Sequence, residues 1–104
     1  MSATIQISSL LHEGAITGRH SGRVIREAVE QSMPIAGEVT LDFAGISLIT
    51  QSSADEFIGR IVREHANWAH NLRFVHCVQD VEDMLQWAAN HAFSVYEDHQ
   101  AIPA

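Results

Sequence analysis

Apolar and polar residues alternate along two stretches of the chain, 4–8 and 39–43. Because successive side chains of a strand point to opposite faces, this period of two predicts β-strands, one of them with a wet face. The residue pattern predicts three further strands, namely a short one within 10–17, a buried one over 73–78 and a last one over 92–97.

Apolar residues spaced three and four positions apart predict three helices. They cover residues 21–34, 52–69 and about 80–90. Helices of this length between strands imply right-handed crossovers that pair the strands in parallel, and an antiparallel hairpin at the N-terminus stays open as an alternative. We expect one α/β domain over 1–104: a mostly parallel sheet of four to five strands, three helices mainly on one face, and a flexible tail over 98–104.

Length and charge narrow the class of protein. A chain of 104 residues suffices for one core and is too short for two. All six basic residues are arginines, against 13 acidic residues, and the net charge of −7 disfavours binding to nucleic acid. No apolar run approaches the ~20 residues of a membrane span, and the N-terminus lacks a signal-peptide pattern. We therefore expect a cytoplasmic protein that binds neither nucleic acid nor membrane.

The corner between the strand at 39–43 and the following helix carries the most chemistry. Thr50, Gln51, Ser52 and Ser53 place four hydrogen-bonding side chains beside the unpaired amides of a helix start. Such a corner can cap a helix, bind an anion or accept a phosphate. Ser52 has the spacing of an N-cap with Asp55 at the third helical position, which would explain both residues structurally.

Residues 41–57, LDFAGISLITQSSADEF, resemble the STAS domain superfamily, and more closely its STAS-like branch of bacterial and phage proteins, the DUF4325 type. The shared features are a strand ending in an aspartate and an apolar residue, a small turn, a short apolar segment, a serine-rich helix start with an acidic pair, and an arginine before the first helix. These features are carried by Leu41, Asp42, Phe43, Ala44, Gly45, Ser47 to Ile49, Ser52, Ala54, Asp55, Glu56 and Arg19.

The resemblance implies a signalling module without catalysis of its own, similar to an anti-sigma factor antagonist. Such a module docks on an anti-sigma factor, a kinase-like ATPase that phosphorylates the serine at the helix start and so releases the complex. An alignment without gaps puts Gln51 at that serine position, and glutamine cannot be phosphorylated. Phosphoregulation would then need Ser52, Ser53 or Thr50 as the acceptor.

The acidic pair Asp55 and Glu56 decides between two uses of the corner. A phosphate or a bound anion would meet both carboxylates within one helical turn, which is electrostatically unfavourable. The same pair favours a docking surface that meets an arginine or a lysine of a partner. Trp87 lies off the apolar stripe of its helix, so it is either an exposed interface anchor or a ring folded over a neighbouring strand.

Other sites with recognisable chemistry are absent from the sequence pattern. Seven histidines occur, without the spacing that metal ligands on one element require, and His65 and His70 lie ~140 degrees apart on one helix. The single cysteine, Cys77, has an apolar setting that predicts burial. No GxSxG elbow and no glycine-rich phosphate loop occurs. We expect no metal, no cofactor and no enzymatic activity.

Two functional hypotheses follow. The first is a regulatory module that binds a protein partner through the corner; its residues are Thr50, Gln51, Ser52, Ser53, Asp55, Glu56, Arg19 and Trp87. The second is a structural or assembly role, in which the free sheet face or Trp87 provides the interface of a homodimer or of a larger complex. A sensor of small ligands or nucleotides is a third reading, with only a generic helix start in its favour.

Overall fold

The computed structural model describes residues 2–101, and the side chains of 2–94 among them. It is a mixed α/β domain in which strands alternate with helical segments, as the sequence predicts. The elements are β1 (Ala3–Gln6), α1 (Ile7–Leu11), β2 (Ala15–Ile16), α2 (Gly18–Ala36), β3 (Val39–Asp42), β4 (Leu48–Ile49), α3 (Gln51–Ala54), a π-helix (Asp55–Gly59), α4 (Arg60–Glu64), a 3-10 helix (Ala66–Asn71), β5 (Leu72–Val75) and α5 (Gln79–Ala101).

The five strands form two parallel sheets. One has the order β1-β3-β5, with Ala3 opposite Val39 and Val39 opposite Leu72, and the other pairs β2 with β4. The prediction of parallel pairing and of the strand number is confirmed, but the strands divide three and two instead of sharing one sheet. The alternative of an N-terminal hairpin is wrong, because β1 and β2 belong to different sheets.

The first predicted strand is shorter than expected. It ends at Gln6, and α1 follows at once, with Ile7 fully buried and Leu10 and Leu11 packed against the core. The spacing of these three residues is helical. The strand predicted from the alternation over 4–8 therefore extends two residues too far. The strand predicted within 10–17 is reduced to Ala15–Ile16.

The last predicted strand, 92–97, is wrong. These residues continue α5, which runs to Ala101. Ala92 is fully buried and extends the stripe of Val81, Leu85 and Ala88 at helical spacing, and neither Gly nor Pro interrupts the segment. The expected tail therefore begins within the helix, and residues 102–104 lie outside the described part.

The helix predicted over 52–69 begins at Gln51 and consists of several segments. α3, the π-helix and α4 follow without a break to Glu64, and His65, with φ −138° and ψ 57°, ends them. Residues 66–71 then form a 3-10 helix. The apolar stripe predicts the face that is buried, but it carries no information about which hydrogen-bond period the backbone adopts.

The three-stranded sheet has one buried face and one exposed face. Val39, Leu41 and Phe43 are fully buried in the single core that the helices complete. Thr4 and Gln6 point to the opposite face and are exposed, as the alternation in β1 predicts. Among the described residues, no helix combines the length and the apolar character that crossing a bilayer requires.

Candidate docking corner

Thr50 caps the helix that begins at the corner. Its backbone is extended and its hydroxyl accepts from the backbone N–H of Ser53 at 3.4 Å. The predicted N-cap at Ser52 is wrong by two residues, because Ser52 already lies in the first turn of α3. Asp55 consequently lies outside the capping position and is free for side-chain contacts.

The three candidate hydroxyls of the corner differ in access. Ser53 is fully buried, donates to the backbone carbonyl of Gly18 at 2.6 Å and accepts from the hydroxyl of Thr50 at 3.0 Å. Ser52 is half-buried and lines a surface cleft. Ser53 therefore joins the start of α2 to the start of α3, whereas Ser52 is accessible from the cleft.

The acidic pair is neutralised by arginines of the same chain. Asp55 pairs with Arg19 at 3.3 Å and with Arg63 at 3.0 Å. Burial disfavours the charged form of this carboxyl, but the hydrogen bonds and charges of the two arginines outweigh it and lower the pKa of Asp55. A partner's arginine would have to compete with these pairs, so the expectation that Asp55 meets a partner's basic residue loses its electrostatic basis.

Glu56 is enclosed by a similar network. Its carboxylate accepts from Arg26 at 2.5 Å and from Arg60 at 3.1 Å, and its side chain is only 12% exposed. Burial again opposes ionisation, and the surrounding arginines outweigh it and lower the pKa of Glu56. Arg26 is itself buried and also donates to the carbonyl of Glu56, so α2 is joined to the π-helix through a buried ion pair. The contacts of the Glu56 carboxylate are therefore with arginines of this chain.

Two glycines make the close packing of the corner feasible. A Cβ on Gly22 would lie 2.3 Å from the carbonyl oxygen of Ser53, so only glycine allows α2 to approach α3 this closely. A Cβ on Gly59 would lie 2.9 Å from the Asp55 carboxylate and 3.3 Å from the guanidinium of Arg63. Arg63 and Asp55, eight residues apart, thus meet over the bare backbone of Gly59.

A cleft of about 380 Å³ brings most of the predicted docking residues together. Trp87 is 43% exposed and stacks on His91 with the ring centroids 5.1 Å apart. The side chain of Arg19 is 63% exposed. The residues lining the cleft are Arg19, Gln51, Ser52, Asp55, Trp87 and His91. Of the eight residues proposed from the sequence, Thr50, Ser53 and Glu56 are absent from this lining.

His91 and three of the arginines that pair with the acidic residues, Arg26, Arg60 and Arg63, were not predicted from the sequence, whereas Arg19 was. His91 follows Trp87 by one helical turn, a spacing that could have signalled the stack. Arg60 follows Glu56 by four residues and could have been paired in the same way. Arg26 lies thirty residues before Glu56 in the sequence, and only the tertiary fold brings the two together.

One group of side chains has the composition of a cation site. Glu30, Glu64 and His65 place one ligand atom each within 4.8 Å of one another. Both carboxylates already contact arginines, Glu30 with Arg26 at 3.8 Å and Glu64 with Arg60 at 2.5 Å. Their charge is thus balanced within the protein, and His65 is also stacked on Trp68. These three side chains therefore form an ion-pair cluster between α2 and the end of α4.

Parallel strands, the Asp42 strand end and the serine-rich helix start together define a STAS-like domain. The chain belongs to the family described as STAS-like domain of unknown function (DUF4325), whose model matches residues 21–83. The matched residues include Gln51, Ser52 and Asp55 of the cleft, while Arg19, Trp87 and His91 lie outside them. Comparison with curated proteins and with solved structures found no match.

Proposed function

We propose that this protein is a non-catalytic regulatory module that binds a protein partner through the cleft at the corner. The observation that carries the proposal is that the exposed Trp87 and the exposed Arg19 line one cleft together with Gln51 and Ser52 at the helix start. Tryptophan and arginine are the residue types most enriched in the energetic centres of interfaces.

The proposed partner is an anti-sigma factor of the kinase-like ATPase type. Support comes from the resemblance of residues 41–57 to anti-sigma factor antagonists and from the position of the cleft at the same helix start. The carboxylates of Asp55 and Glu56 already have arginine partners within the chain. We therefore expect the shape of the cleft and Trp87, and not these charges, to provide the binding contacts.

If the partner phosphorylates the module, we propose Ser52 as the acceptor. Gln51 cannot carry a phosphate, and Ser53 would have to break its hydrogen bond to Gly18 and leave the core. Ser52 lines the cleft together with Arg19, whose charge would partly offset a phosphate despite Asp55. Incubation with the captured ATPase, followed by mass spectrometry of the wild type and of Ser52→Ala, tests this assignment. Phosphate on Thr50 or Ser53 would contradict it.

Affinity capture from the native host tests the docking proposal. We expect a kinase-like ATPase with the wild-type chain and about tenfold less of it, or none, with Trp87→Ala, because a buried tryptophan anchor dominates small interfaces. Ile35→Ala is the matched control, since Ile35 is an exposed apolar residue of α2 outside the cleft. Equal capture by wild type and Trp87→Ala would refute the docking site, and a chain that captures only copies of itself would favour the assembly role.

A further inference from the structure

A second, larger cavity lies away from the corner, between the end of β5 and the helices α4 and α5. Its volume is about 640 Å³, within the ~300–1,000 Å³ that small-molecule sites occupy. Apolar side chains form most of its wall, namely Ile58, Val62, Ala69, Phe74, Leu85, Ala89 and Phe93. The cavity is therefore suited to the apolar part of a small molecule.

At the polar end of this cavity, His76 follows β5 and lies beside the carboxyl end of the neighbouring parallel strand β3. Asp42 ends β3 and His76 follows β5; the Nδ1 atom of His76 lies 2.9 Å from the Asp42 carboxylate. His76 has a φ of 58°, a left-handed conformation that is uncommon for a residue other than glycine and that clusters at functional sites. Ligands of open α/β sheets characteristically bind at this edge.

The contact with Asp42 determines what His76 can offer to a ligand. The backbone N–H of Ala44 and the ring of His76 both donate to this carboxylate and lower the pKa of Asp42, so it is ionised near neutral pH. An ionised carboxylate only accepts, and Nδ1 of His76 therefore carries the proton. In the neutral form of this tautomer Nε2 is an acceptor, and His76 belongs to the cavity lining.

The other polar groups of the cavity are also acceptors or neutral. Glu82 contributes a carboxylate and Gln86 an amide. Burial, followed by the charges of Glu82 and Asp42, raises the pKa of the Cys77 thiol, which stays protonated. No arginine occurs among the described residues that line the cavity. A ligand with a positively charged, hydrogen-donating head complements this end, whereas an anionic head would meet uncompensated negative charge.

We propose that this cavity binds a hydrophobic amine, with its apolar body against Phe74, Leu85 and Phe93 and its ammonium group between Glu82 and His76. The site is independent of the docking corner and goes beyond the protein-binding function proposed above.

Three probes of equal chain length test the proposal by isothermal titration calorimetry at neutral pH: octylamine, 1-octanol and octanoate. We expect octylamine to bind at least about threefold more tightly than 1-octanol and on the order of tenfold more tightly than octanoate, because a partly exposed ion pair contributes modestly. Glu82→Gln should remove most of the advantage over 1-octanol. Glu27→Gln, at an exposed position of α2 outside the cavity, should leave it unchanged.

Variants that fill the cavity distinguish binding of octylamine inside it from binding elsewhere on the surface. Ala89→Trp should abolish octylamine binding, and Ala69→Leu serves if circular dichroism shows the tryptophan variant unfolded. In the wild-type chain, octylamine should shift the amide resonances of Phe74 and Leu85 in NMR spectra. The proposal is overturned if octylamine fails to bind, if octanoate binds as tightly, or if the folded filled variant binds octylamine unchanged.

Discussion

The hydroxyl side chains of the corner have different roles, although their residue types are similar. Thr50, Ser52 and Ser53 are chemically similar, yet the structure uses Thr50 as a cap and Ser53 as a buried tie to Gly18. Ser52 alone of the three lines the cleft. The sequence predicts a hydroxyl-rich helix start correctly, but which hydroxyl is buried depends on how α2 packs against it.

Removing the hydroxyl of Ser53 should therefore cost stability. Ser53→Ala leaves the carbonyl of Gly18 and the hydroxyl of Thr50 without their buried partner, so we expect the free energy of unfolding to fall by about 1–2 kcal/mol. Urea denaturation measures the change. Ser52→Ala is the matched control and should stay within about 0.5 kcal/mol of the wild type. Equal effects of the two changes would contradict the division of roles.

The buried pair of Arg26 and Glu56 predicts a larger effect. Arg26→Met keeps an apolar stem but leaves Glu56 with fewer partners, and we expect a loss of about 2–4 kcal/mol in the free energy of unfolding. Combining it with Glu56→Leu should recover most of this loss, because no unpaired charge then remains buried. A double variant less stable than Arg26→Met alone would show that the pair is not an isolated charge-balance unit.

Glu56 also makes stability depend on pH. Its pKa in the folded protein is below the ordinary value of 4.5, so its ionised form stabilises the fold above that pH. This contribution is lost as the pH falls through the folded pKa, since the unfolded chain takes up the proton first. Urea unfolding between pH 7 and pH 3 should show a shallower acid decline for Glu56→Gln than for the wild type. Parallel curves would contradict the assigned pKa.

At the scale of elements, close helix packing is what shapes the corner. α2 contacts α3 at Gly22 and the π-helix at Arg26. The alternation and helical stripes of the sequence predict the existence and the type of most elements. They fail where a stripe continues without a breaker, as at Ala92 in α5, and where the hydrogen-bond period changes, as from Asp55 to Gly59. The second failure arises because apolar spacing reports the buried face and not the hydrogen-bond period, whereas at Ala92 the helical spacing does continue and the strand prediction overlooked it.

Gly22→Ala tests the helix contact. The added Cβ would overlap the carbonyl oxygen of Ser53, a backbone atom that cannot move without displacing α3. We expect a loss of about 2–3 kcal/mol, in the upper range for overpacking, and altered NMR shifts around the cleft. Glu27→Ala, at an exposed position of the same helix, is the control and should have little effect. A neutral Gly22→Ala would show that α2 and α3 are further apart than described.

The part of the molecule that the structure describes combines a covered and an open sheet face with the cleft at the corner and the larger cavity beside Phe74. The sequence predicted the α/β class, the family and the serine-rich helix start, because these depend on local pattern and on a contiguous motif. It did not predict the division of the strands into two sheets, the arginine network around Asp55, or the cavity beside Phe74. Each of these depends on residues far apart in the chain that only tertiary packing brings together.

We propose the cleft beside Trp87 as the surface that binds a partner. The most direct test places a photo-crosslinking amino acid at Gln51, which is exposed and lines the cleft, and irradiates cells of the native host. We expect a covalent adduct with a kinase-like ATPase that Trp87→Ala removes, and no such adduct when the same amino acid replaces Ile35. Crosslinking to that ATPase from Ile35 but not from Gln51 would contradict it.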